Sequence, residues 1–230
     1  MLHPDTLQFF EDLAVNNNRE WFAANKKRWD DIKAAFEEFT SQLIQRIVPL
    51  DPSLGDLKAK QCIYRIYRDV RFSTDKSPYK THIACFLPTG GNRRSAVPGY
   101  YIQIGQEDYG LHGCCALGGG IFCPTPEALA AIRQEIFYNI EEFKAIINHP
   151  NHQRYFGSQF YSANKLSRVP KGYPSDWPDA DLLKYKDYTT MYAMPEKYVL
   201  SDQLLDRTVE VFAASVPLNK FIQKAMYELL

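Results

Sequence analysis

The sequence predicts an α+β fold, a central and mainly antiparallel sheet of about four or more strands flanked by N-terminal, middle and C-terminal helices. Three observations predict it. Apolar residues recur at helical spacing before residue 50 and again after residue 125. Between these stretches the period drops to two, as in strands. The strand-like segments follow one another through short Gly- and Asp-containing turns, which favours antiparallel pairing. The order helices, strands, helices reads as one domain over residues 1–230.

Pro4 suits a first helical position, and Leu7, Phe10 and Leu13 or Ala14 then share a face up to a turn at Asn16, Asn17 and Asn18. Asn17 lies three residues before Glu20, a capping-box spacing with Asn in place of Ser or Thr. A long helix is expected next, with Trp29, Ile32, Phe36, Phe39, Leu43, Ile47 and Leu50 as its stripe and Pro49 and Pro52 as its end. Residues 62–72 alternate as a strand. Cys62, Tyr64, Ile66, Arg68, Val70 and Phe72 fall on one face, with Ile63, Arg65, Tyr67, Asp69 and Arg71 on the other.

Further strands are expected at His82–Leu87, Tyr100–Ile104 and Leu111–Leu117, with turns at residues 90–92 and 108–110. Gly118, Gly119 and Gly120 read as a bulge or tight bend closing the sheet section. Thr125 caps a helix with Pro126 in first position and the stripe Leu129, Ile132, Ile136, Ile140, Phe143 and Ile147, stopped by Pro150. Residues 151–200 read as irregular. Ser201 or Asp202 opens a last helix through Leu204, Val209 and Phe212, which Pro217 breaks or restarts.

Composition excludes several classes. With 27 Lys+Arg, 27 Asp+Glu, 45% hydrophobic and 14% aromatic residues, the chain is too apolar and too balanced for disorder or for a globally basic binder. It has no apolar run of the length a membrane span requires. The five cysteines contain no Cys-x-x-Cys spacing and read as small, mostly buried thiols of a reducing compartment. Met1–Asp5 lacks a basic n-region, so a cytoplasmic location is expected.

Charge is nonetheless uneven. Residues 58–80 carry Lys58, Lys60, Arg65, Arg68, Arg71, Lys76 and Lys80 against Asp69 and Asp75, a net +5. Arg93 and Arg94 bring residues 58–94 to +7, leaving −7 for the rest. Tyr64, Tyr67, Phe72 and Tyr79 interleave the cations. Arginines at alternate strand positions project about 7 Å apart, a spacing suited to a phosphate or carboxylate. The same arginines also suit internal pairing with Asp69, Asp75 or helix carboxylates. Basic and aromatic residues in alternation further fit a platform for single-stranded nucleic acid.

Asp69, flanked by Arg68 and Arg71, fits an ion-pair partner better than a general base. Asp75 sits in a turn sequence, where an Asx-type bond is expected, and His82 is the group near the cluster that titrates around neutrality. These two are the acid–base candidates if binding is followed by chemistry. No metal or cofactor is expected. His149 and His152 lack a third ligand, and no Gly-Lys-Ser/Thr follows the glycine run.

Several blocks carry a resemblance. They are Asn17-Asn18-Arg19-Glu20-Trp21-Phe22, the run from Tyr64 to Ser73 and that from Asp75 to Thr81. Gly99-Tyr100-Tyr101, the three glycines with Pro124 and Ile132-Arg133, Pro170 to Tyr173, and Leu183-Lys184 follow in order. Together they resemble the family catalogued as domain of unknown function 2461, found as soluble proteins of bacteria and fungi. The resemblance implies one domain and no particular reaction, and it adds Arg133 and Lys184 to the basic segment.

The expectation is a cationic pocket for a small phosphorylated or carboxylated ligand. Arg65, Arg68, Arg71, Lys76 and Lys80 would supply anion contacts, Tyr67 and Tyr79 would orient or stack, and Asp69 would hold the arginines, with Arg133 and Lys184 contributing. The alternatives are a single-stranded nucleic-acid module and an interaction domain whose basic segment is structural.

Overall fold

The N-terminal third forms four helices. α1 (Thr6–Val15) buries Phe9, Phe10 and Leu13. α2 (Arg19–Ala24) is capped by Asn18, whose side chain accepts from the Trp21 N–H at 2.9 Å. The cap is therefore Asn18 and not Asn17, because the chain bends one residue later than the Asn17–Glu20 spacing implies. α3 (Lys26–Ile47) turns the expected stripe inward, with Trp29, Ile32, Phe36, Phe39, Leu43 and Ile47 buried. Leu50 lies beyond the helix end and is exposed. Arg28 ties α1 to α3, donating to Asp5 (2.7 and 2.9 Å) and Asp12 (3.0 Å) across the Phe9 ring. α4 (Ala59–Cys62) is a single turn.

The computed structural model describes residues 1–91, 96–106, 114–158, 160, 165–227 and 229. Arg93, Arg94, Asn92 of the first expected turn, the turn at 108–110 and the first three residues of the third expected strand lie outside the described residues.

Four antiparallel strands form the sheet in the order β1 (His82–Pro88), β2 (Gly99–Gly105), β3 (Cys115–Ile121), β4 (Tyr188–Ala193). The register pairs Cys85 with Ile102, Ile102 with Leu117, and Gly119 with Thr190. Period-two alternation then places Ile83, Cys85, Tyr100, Ile102, Leu117 and Gly119 on one face, all in the interior.

The glycine run is not a bend. Gly118, Gly119 and Gly120 lie within β3 and are paired in register on both sides. A Cβ at Gly119 would land on the Ser215 side chain, and one at Gly120 on the Tyr188 carbonyl. The residues are side-chain-free because another element occupies the space.

After β3, Thr125 caps α5 (Pro126–Tyr138), accepting from Ala128 N–H at 3.2 Å. The expected single helix breaks at Asn139, and α6 (Ile140–Ile147) continues it. Pro150 opens a helix instead of ending one. α7 (Pro150–Phe156) has His149 as its cap and buries His152. The stretch expected to be irregular also holds β4 and the short α8 (Glu196–Val199). α9 (Leu204–Ala225) runs unbroken through Pro217 and packs along β3.

Two apolar clusters fill the interior. One joins α1–α3 to the sheet, and the other joins α5 and α6 to the far end of the sheet; α9 contributes Phe212 to the first and Phe221 to the second. Each fully buried Phe contributes roughly 1.5–3 kcal/mol. Two buried polar side chains tie the layers together. Asn219 on α9 accepts from Gly120 N–H (2.8 Å) and donates to Gly99 C=O (3.2 Å), and Tyr100 donates to buried Asp51 at 2.6 Å. Cys62, Cys85 and Cys115 are buried, whereas Cys123 is exposed.

Candidate functional site

The basic segment is not a regular strand. Residues 63–67 run antiparallel to 79–85, joined at two isolated bridges, Ile63–Cys85 and Tyr67–Tyr79. Between the bridges three residues (64–66) oppose five (80–84), so the ladder cannot stay in step. Pro78, at the turn, has no N–H to give. Backbone bonds from Tyr64 N–H to Ala84 C=O (2.9 Å), Lys80 N–H to Ile66 C=O (2.8 Å) and Arg68 N–H to Pro78 C=O (3.0 Å) hold an irregular hairpin outside β1. The alternation expected over 62–72 survives only as the burial of Cys62 and Ile66.

The hairpin's base is fixed from α2. Asn17 accepts from Tyr79 N–H (3.1 Å) and donates to Tyr79 C=O (2.9 Å), as a neighbouring strand would. Phe22 stacks on the Tyr79 ring at 4.1 Å, and the Tyr67 ring lies tilted against it with centres 5.4 Å apart. Tyr79 is thereby buried and Tyr67 stands 53% exposed above it. Burial and the neighbouring Tyr67 push the Tyr79 hydroxyl's pKa up, and the charge of Arg19 partly opposes them.

Farther out the cations divide. Arg68 pairs with Asp75, whose carboxylate also accepts from the Ser77 hydroxyl (2.6 Å) and N–H (2.9 Å). Those Ser77 bonds, with Arg68 behind them, hold the Asp75 pKa well below the usual carboxylate range. Arg71 forms a two-pronged pair with Asp69 at 2.9 and 2.6 Å, which brings Asp69 down to about 2. Lys76 donates to the Val70 carbonyl at 3.0 Å. Lys80 Nζ lies 5.1 Å from the Tyr64 ring centre, and the Arg71 guanidinium 5.9 Å from that of Phe72, a phenylalanine 96% exposed. Arg65 is exposed and makes no ion pair among the described residues, although its charge reaches Asp69.

Asp75 is held ionised, and a depressed carboxylate is a weak base near neutrality. His82 is buried at the start of β1.

Arg133 and Lys184 do not join this group. Arg133, on α5, donates to the Tyr185 carbonyl at 3.0 Å, just before β4, and Lys184 pairs with Asp181 at 3.1 Å. β1 and β4 are the two opposite edges of the sheet, so the expected single set of ten ligand-binding residues is two sets. Arg19 was not among those ten. Its signal is its place beside Asn17 and Asn18 in the block Asn-Asn-Arg-Glu-Trp-Phe, but only the fold brings it to Tyr79.

An α+β chain with a cationic, aromatic hairpin clamped outside one sheet edge defines the architecture. The chain belongs to the DUF2461 family of conserved hypothetical proteins, whose model matches residues 5–221 and so spans both cationic sets. Nothing among curated proteins or solved structures matches the chain. No helix among the described residues is long and apolar enough to cross a membrane.

Proposed function

We propose that the chain binds a small phosphorylated or carboxylated ligand on the open face of the 64–80 hairpin. The observation that carries this reading is the half-exposed Tyr67 on a fixed Tyr79, with Arg19 near Tyr79 and Arg65 two residues before Tyr67, both without ion-pair partners among the described residues. Arg65 and Arg19 supply charge, and Tyr67 offers a ring for stacking. Asp69, Asp75 and Lys76 hold Arg71, Arg68 and the turn in place. The reading assigns no proton-transfer step to Asp75 or His82.

A thermal-shift series with inorganic phosphate, adenosine monophosphate and citrate tests it. Saturation at a hundred times the dissociation constant adds about 2.7 kcal/mol of stability. Arg65→Ala and Tyr67→Ala should each remove most of that gain. A chain indifferent to all three ligands at millimolar concentration ends the reading.

A second reading rests on Phe72. A fully exposed ring beside a guanidinium fits stacking of single-stranded nucleic acid. It predicts oligonucleotide binding that weakens steeply with salt and is lost in Phe72→Ala.

A further inference from the structure

We infer that the cationic cluster at the β4 edge, centred on Arg133, is a separate binding site for a phosphate monoester or free phosphate dianion. Arg133 is partly buried on α5 and forms no ion pair among the described residues. Its guanidinium donates to the Tyr185 carbonyl at 3.0 Å and reaches the Tyr188 hydroxyl, while its Nε–H is buried with no partner among the described residues. A guanidinium withdrawn from water ordinarily finds a carboxylate, because an uncompensated buried charge is costly.

The nearby acids are already engaged. Asp179 faces Lys144 at 3.4 Å, and Asp187 accepts from Cys123 N–H at 2.5 Å. Asp181 is shared by Lys165 and by Lys184 (3.1 Å). The Lys165 ammonium sits 4.4 Å from the centre of the Tyr185 ring, the residue whose carbonyl holds Arg133. Arg133, Lys165 and Lys184 thus gather around Tyr185 against Asp181 and Asp187, one positive charge in excess.

A net positive surrounding with an unpartnered guanidinium donor suits a phosphate monoester, which is a dianion above its second pKa of about 6. The guanidinium offers a planar donor edge suited to two phosphate oxygens, and lysines serve as movable point charges beside it. The Tyr173 and Tyr188 hydroxyls lie close enough to feel the Arg133 charge. The site is independent of the hairpin, which lies outside the opposite edge of the sheet.

Isothermal titration of the full chain with inorganic phosphate, near about pH 8 where the dianion dominates, tests the assignment. In parallel, the arginine Nε–H resonances are followed by NMR. Saturable binding that shifts one Nε–H signal, absent from Arg133→Gln, is expected. Affinity should fall about tenfold or more in Arg133→Gln, as for loss of a charged hydrogen bond. Arg65→Ala should leave the Arg133-dependent Nε–H shift in place even where it weakens phosphate binding at the hairpin. Should Arg133→Gln fail to fold, Lys165→Gln combined with Lys184→Gln carries the same expectation. Absence of saturable binding, or phosphate binding retained in these variants but lost in Arg65→Ala, overturns the site.

Discussion

The side chain of Asn17 occupies both backbone hydrogen-bonding positions of Tyr79, 62 residues away, accepting its N–H and donating to its C=O. An asparagine amide has one donor and one acceptor edge, as a peptide unit does, so it replaces a strand partner at the point where the hairpin leaves the sheet.

Asn17→Ala should therefore loosen the hairpin without unfolding the chain. A cost of about 1–3 kcal/mol is expected, because both Tyr79 backbone groups lose their partner. Amide exchange at Tyr79 and Lys80 should accelerate while β2 and β3 stay protected. Uniform acceleration over all strands would show that the clamp serves the whole fold.

The spelling of β3 gives a second expectation. A methyl group at Gly119 meets Ser215 of α9, so Gly119→Ala should destabilise by about 1–3 kcal/mol, as overpacking does. Ser215→Gly costs about 0.5 kcal/mol on its own through helix propensity. Combined with Gly119→Ala it should recover part of the loss in chemical denaturation. Strict additivity of the two changes would place the strain elsewhere.

His152 supplies a pH dependence. Burial lowers its pKa from 6.5 to about 4, against a raising hydrogen bond with the Ala214 backbone. The folded state thus favours the neutral ring, and this contribution is complete above about pH 6.5. It is lost as pH falls from there to about 4, because the unfolded chain takes up the proton first. The expected loss is about 3 kcal/mol across that window. His152→Leu should flatten this part of the stability profile, measured by urea denaturation at several pH values. An unchanged slope in the variant would assign the effect to another group.

Much of this architecture is legible in local pattern. The stripe from Trp29 to Ile47 and the alternation of residues 82–88 and 99–105 appear as helix and strands because both faces and partners suit those periods. β4 escapes notice because Tyr188–Ala193 is short, rich in threonine and tyrosine, and embedded among prolines. Its strand character comes from pairing with β3, about 70 residues earlier. Residues 62–72 mislead in the opposite way. Their alternation is regular, but the opposing arm carries two residues too many. The candidate site divides for a related reason. Charge can be counted along the chain, whereas the separation of Arg65 from Arg133 depends on strand order, and the engagement of Arg68 and Arg71 by Asp75 and Asp69 depends on the turn.

The bare α9 face of β3 has a kinetic consequence. Gly118–Gly120 bring no side chains of their own, and the groups that complete this strand, Ser215 and Asn219, come about 100 residues later. The β2–β3 pair therefore cannot finish its interior locally. Sheet closure and docking of α9 become one event with a long loop to close, which slows folding and makes it all-or-none. Substitutions at Ser215 and Asn219 should accordingly register in the folding rate as strongly as in the equilibrium, a signature readable from the two arms of a chevron plot.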